Sequence, residues 1–205
     1  MSFFPANEPF PTPAKRTSDE LYNDAHANFA VGYTDVAPRD PQTGKFLFLK
    51  RVIPPTTGVP WFIGGRIIPG KTNAESAAAH LKDDTHIAAS SDRFKEVSHW
   101  TITHVEPATA SEKEHVRHCQ NTVLTIDLTP AEIERLAQED AAGTLSEEYE
   151  PNSAEWFDPS TDDASRLQPP VRQFLRDYFS HEVMMTALHT MALEENEQRS
   201  NPSVV

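Results

Sequence analysis

Three stretches of this 205-residue sequence carry side chains suited to phosphate or metal chemistry. Gly65-Arg66-Ile67-Ile68-Pro69-Gly70-Lys71-Thr72 fits the phosphate-loop spacing G-x-x-x-x-G-K-[ST] letter for letter. In that reading backbone N–H groups would cradle phosphates, Lys71 would reach the outer ones and Thr72 would face magnesium. Thr122–Asp127 would be the later strand whose terminal acid steadies the metal. The interior Ile-Ile-Pro argues against a tight wrap, since it adds bulk and removes one N–H donor. A mostly extended stretch from Phe94 to Leu128 also departs from the strand–helix alternation of such folds. The second stretch holds His80, Asp83 and Asp84. At about 100° per helical residue, His80 and Asp84 share one edge while Asp83 points away. That edge is either part of a cation site or a surface contact worth little. The third is the acidic run Glu148-Tyr149-Glu150, whose carboxylates suit proton transfer or simply belong to an acidic loop. Arg51 and Arg66 offer planar forks that match a diphosphate, or are two solvent-facing strand-end arginines.

The elements that must position these groups follow from pattern. Extended runs are expected at His26–Tyr33, Phe46–Leu49 and Val59–Ile63, with a turn-rich patch at Pro38, Asp40, Pro41 and Gly44. A helix is expected from Thr72, which has capping-box spacing to Glu75; Ala74, Ala77, Ala78 and Leu81 form its narrow apolar stripe. Strands around Phe94–His104 and Thr122–Leu128 come next. A short helix at Pro130–Gln138 has Thr129 as N-cap, and an extended segment follows near Glu147–Phe157. Two helices are expected in the C-terminal region, one with Val171, Phe174, Leu175 and Tyr178, the other from near Ser180 with Met184, Met185, Leu188 and Met191. These faces suit packing on the parent domain, or, for the methionine face, a homodimer contact.

Lys50-Arg51, Pro54-Pro55, Gly58 and Trp61-Phe62-Ile63-Gly64-Gly65-Arg66 resemble the approach to a Nudix box, especially that of the GDP-mannose mannosyl hydrolase branch. The Nudix pattern is G-x5-E-x7-R-E-U-x-E-E-x-G-U, with U aliphatic. Started at Gly65 it runs without a gap: Lys71 falls at the first Glu, Ala79 and His80 at Arg-Glu, and Leu81 at U. Asp83-Asp84 take Glu-Glu, His86 takes Gly and Ile87 the last U. The resemblance implies an α/β/α sandwich with a mixed central sheet over residues 25–160. A Pro-rich arm would precede it at 1–24, and a helical extension would follow at 161–205. It also implies hydrolysis of a nucleoside-diphosphate-linked substrate, such as a nucleotide sugar, with Mg2+ or Mn2+. Gly65, His80, Asp83, Asp84 and Glu150 fall at the metal positions. Arg51, Arg66 and Trp61 fall on the substrate, and Glu150 and Arg66 in the catalytic roles. Pro151 stands where that branch has its histidine base. The loss of the first Glu and of the Arg-Glu pair supports the alternative, a catalytically inactive domain that binds a nucleotide-like ligand or a protein partner.

Composition narrows the partners. A formal charge of −13 disfavours a nucleic-acid polymer, whose recognition needs basic patches. The apolar runs are too short to span a bilayer. One cysteine, Cys119, allows no internal disulfide, so a cytoplasmic location is expected. His115, His118 and Cys119 offer three zinc-type donors without a second pair at a zinc-site spacing.

Overall fold

A computed structural model describes residues 30–52, 56–106 and 115–200. The Pro-rich arm expected at 1–24 therefore lies outside the described residues. Seven strands build one mixed sheet: β1 (Val31–Arg39), β2 (Phe46–Lys50), β3 (Pro60–Trp61), β4 (Ile63–Arg66), β5 (Lys95–Glu106), β6 (His115–Asp127) and β7 (Glu155–Phe157). Three helices accompany them: α1 (Asn73–Thr85), α2 (Pro130–Ala142) and α3 (Pro169–Ser200). Strand order is β3-β2-β1-β6-β5, with β4 also paired to β1 and β7 to β2. Two neighbours therefore share one side of β1. Its end pairs with β2 at Arg39–Phe46, and its middle lies antiparallel to β4 from Tyr33–Arg66 to Val36–Ile63. On its other side β1 runs parallel to β6 along its whole length.

The sheet is covered on both faces, which is why β2 reads Phe-Leu-Phe-Leu with every one of those side chains fully buried. One layer joins Val36, Leu47, Leu49, Ile63, Leu124 and Ile126 to Ala77 and Leu81 of α1 and Leu136 of α2. The other joins Ala37, Phe46, Phe48, Trp61 and Phe62 to Val171, Phe174, Leu175 and Tyr178 of α3. Edge-to-face rings hold α3 there, Phe174 lying 5.4 Å from Phe46 and 5.6 Å from Phe62. This is the expected α/β/α sandwich around a mixed sheet.

Local chemistry fixes the helix starts. Thr72 accepts the Glu75 N–H and the Glu75 carboxylate returns to the Thr72 N–H, a complete capping box. Thr129 and Glu132 repeat the device on α2, with Pro130 in the first turn and Gly143 at φ 67° ending it. The phosphate-loop reading fails on both counts that it needs. The Thr72 hydroxyl is used as a cap, and the strand ahead of the loop pairs antiparallel with β1.

Three expected boundaries move. β1 runs on through Pro38, and the turn waits until Asp40–Gly44, where the Gly44 N–H meets the Asp40 carbonyl at 2.8 Å. α2 continues past Gln138 to Ala142. The two helices expected after Pro169 form one helix, because nothing between Tyr178 and Met184 breaks it. Among the described residues, no helix is long and apolar enough to cross a membrane.

Candidate functional site

The two glycines of β4 are where sheet, helix and late loop meet. Gly64, at φ 152°, lies against β1 so closely that a Cβ would come within 2.4 Å of the Thr34 carbonyl oxygen. Only glycine fits. Gly65 faces the other way, and a Cβ there would stand 2.9 Å from Cε1 of His80. The imidazole thus occupies the space that Gly65 leaves open. Its Nε2 is 2.9 Å from the Arg66 carbonyl oxygen, which can only accept, so Nε2 carries the proton and donates. Burial pushes the His80 pKa below its ordinary value, and the ring is neutral at pH 7.

One helical turn on, Asp84 points inward and Asp83 outward, as the helical angles require. The Tyr149 hydroxyl donates to Asp84 Oδ2 at 2.9 Å, and the Gly64 N–H donates to the same carboxylate. The Asp84 carbonyl accepts from the Ser146 N–H at 3.0 Å. Burial raises the Asp84 pKa to about 6; the tyrosine opposes the shift, and the nearby negative charge of Glu148 adds to it. Arg51 pairs backbone to backbone with Tyr149 and places its Nη2 3.2 Å from Glu148 Oε2.

The late loop therefore contributes Glu148 and Tyr149. Glu150 is exposed, with its N–H on the Lys50 carbonyl at 2.8 Å. The acid that reaches the cluster lies two residues earlier than alignment on Trp156 places it, because Glu148 and Glu150 flank the bridging residue Tyr149. Arg66 ends β4, half-buried opposite Tyr33. Trp61 is buried in the aromatic layer, its ring 5.5 Å from that of Phe62. The structure thus gathers Gly65, His80, Asp84 and Arg51 at one place, with Asp83 at its rim.

Asp35 was not singled out by spacing. It is buried on β1 directly opposite Gly64, and Asn121 donates to it at 2.6 Å. Burial pushes its pKa up to about 6, against the pull of Asn121 and Arg51. A charged residue amid the strand Tyr33-Thr34-Asp35-Val36 was the available signal. The His118–Cys119 pair does not form a site, since Cys119 is buried and His118 is exposed.

Magnesium needs several convergent oxygens with free lone pairs. Among the described residues no three His, Cys, Asp or Glu side chains come together in that way, so the donors present do not fit the cation that the resemblance implies.

No family model and no curated protein matches the sequence. Solved structures do resemble the fold. A MutT Nudix hydrolase from Burkholderia pseudomallei is 14% identical, covers 72% of this chain and 97% of its own, and gives a TM-score of 0.49. An Ap4A hydrolase from C. elegans is 14% identical over 75% of this chain and 98% of its own, with a TM-score of 0.46. A bifunctional NMN adenylyltransferase/ADP ribose pyrophosphatase from Francisella tularensis, complexed with AMP and a Mn ion, is 12% identical. It covers 79% of this chain and 44% of its own, with a TM-score of 0.49.

Proposed function

We propose that this chain is a divergent Nudix-type domain whose ligand is a nucleoside-diphosphate-linked compound, with nucleotide sugars the first class to try. The observation that carries the reading is Arg51. Its side chain is 19% exposed, its Nη2 meets Glu148, and its buried Nε–H has no acceptor among the described residues. Leaving such a donor unmet costs about 1–3 kcal/mol, and the solvent-facing part of the same guanidinium suits a charge-assisted bond to a phosphate oxygen. Arg66 ends the strand that carries the two glycines and supplies a second fixed positive charge.

Binding without hydrolysis is the activity these groups favour, because His80, Asp84 and Glu148 each already hold a protein partner. One observation favours hydrolysis instead: burial, with the nearby negative charge of Glu148 adding to it, holds the Asp84 carboxyl above its ordinary range.

Calorimetry with a panel of nucleotide sugars and dinucleoside polyphosphates, in EDTA and then in Mg2+, separates these readings, with chromatography of the same mixtures for products. The expected result is binding that survives EDTA, weakens at least tenfold in Arg51→Ala and yields no product. Absence of binding across the panel would sink the ligand class. Mg2+-dependent product lost in Asp84→Asn would make the domain a hydrolase.

A further inference from the structure

We infer that His80 and Tyr149 close the box of this chain as a hydrogen-bonded latch, so that it takes up no divalent cation at His80, Asp83, Asp84 or Glu148. The argument is about lone pairs. Asp84 accepts from Tyr149 Oη at 2.9 Å and also from the Gly64 N–H, while its carbonyl takes the Ser146 N–H. The Nε2–H of His80 donates to the Arg66 carbonyl, which fixes the ring over Gly65 and leaves its single lone pair on Nδ1. Glu148 is engaged by Arg51. Asp83 is turned to solvent, and the Glu148 side chain is partly exposed beside its Arg51 bond. A carboxylate has about four acceptor sites, so with two donors in place Asp84 could take about two further partners. One carboxylate and one imidazole nitrogen are still not a ligand set for an ion that needs about six oxygens, and among the described residues no third His, Cys, Asp or Glu joins them.

The same bonds explain what holds this corner together. In one step they tie the end of α1 to β4 through Gly64 and Arg66, and to the late loop through Ser146 and Tyr149. Four backbone or side-chain donors do the tethering that a bridging ion could do elsewhere. The two roles compete for the same oxygens, and in this chain the protein donors hold them.

The test is Mn2+ uptake by the full chain, read by the loss of free-ion paramagnetic resonance signal and by the melting temperature in Mn2+ against EDTA. Wild type is expected to show no saturable uptake and no shift. The double variant His80→Glu/Tyr149→Phe is expected to bind one Mn2+ per chain and to melt several degrees higher with the ion. Adding Asp84→Asn should abolish both effects. Far-UV circular dichroism and Tyr149→Phe alone, which keeps the ring, guard against reading misfolding as loss. Saturable uptake by wild type that Asp84→Asn removes would overturn the inference. So would a folded double variant that still ignores Mn2+, since the latch would not then be what excludes the ion. Ligand calorimetry in EDTA is independent of either result, so failure here is distinguishable from failure of the proposed ligand class.

Discussion

Asp35 carries a clear pH signature. Its pKa rises from an ordinary 3.8 to about 6 because burial penalises the charge. A group whose folded pKa is raised binds its proton more tightly in the folded state, so stability is greater below pH 4 and falls as pH rises towards 6. The shift corresponds to a penalty on the order of 3 kcal/mol at neutral pH. Asp35→Asn keeps an acceptor for Asn121 and removes the charge. It is expected to raise the melting temperature at pH 8 by several degrees and to flatten the rise between pH 7 and 5. Asp84, shifted in the same sense, should retain part of that slope. A variant that melts below wild type at pH 8 would show that the Arg51–Asp35 attraction outweighs burial. Gly64→Ala makes the opposite case: its Cβ would collide with backbone at 2.4 Å, so the soluble yield should collapse. At this scale the sequence was half legible. Helical angles separated Asp84 from Asp83 correctly, because they depend only on spacing. The offset between Glu148 and Glu150 depends on where a loop bridges to Arg51, and no local pattern encodes that.

Caps and ion pairs belong to the elements. Thr129→Ala should cost about 0.5–2 kcal/mol in a urea titration, since it leaves an N-terminal donor of α2 unmet. Glu132 does more, capping α2 while both its oxygens take Arg93, at 2.6 and 2.8 Å. These bonds depress its pKa from 4.5 to about 2. Here the sign reverses: the stabilisation is complete above pH 4.5 and is lost as pH falls towards 2. Together with Asp35, this predicts a stability maximum near pH 4–5 for wild type. In Glu132→Gln the acid limb should be shallower, measured as melting temperature from pH 5 to 2.5. Both capping boxes and the Ala/Leu stripe of α1 were readable, because their signals lie within four residues of one another. Pro38 misled for the same local reason. It marks a break by itself, yet here it lies within a strand whose partner is 88 positions away.

The whole molecule is a sheet clamped between unequal covers. Phe174, fully buried between Phe46 and Phe62, should cost about 3–5 kcal/mol when replaced by alanine. Further along the same helix Phe179, Val183, Met184 and Met185 are exposed. For a monomer, Met184→Ser should change stability by no more than about 0.5 kcal/mol, whereas a concentration-dependent loss would reveal a second copy on that face. The sandwich was legible because two-sided burial writes itself into runs such as Phe46–Leu49. The sharing of β1 between β2 and β4 was not, since it is a matter of long-range register.

That shared strand also sets the order of assembly. β1 lies parallel to β6, Val31 against Cys119 through to Arg39 against Asp127, so its central partnership closes a loop of 88 residues. A ribosome extending the chain at about 5–20 residues per second leaves β1 without its partner for several seconds. Over that interval β2 and β4 can pair with one side of β1 while the other stays bare. Nascent chains crowded on one message would thus meet with an open sheet edge, and helper proteins that shield such edges would matter most just before residue 127 emerges.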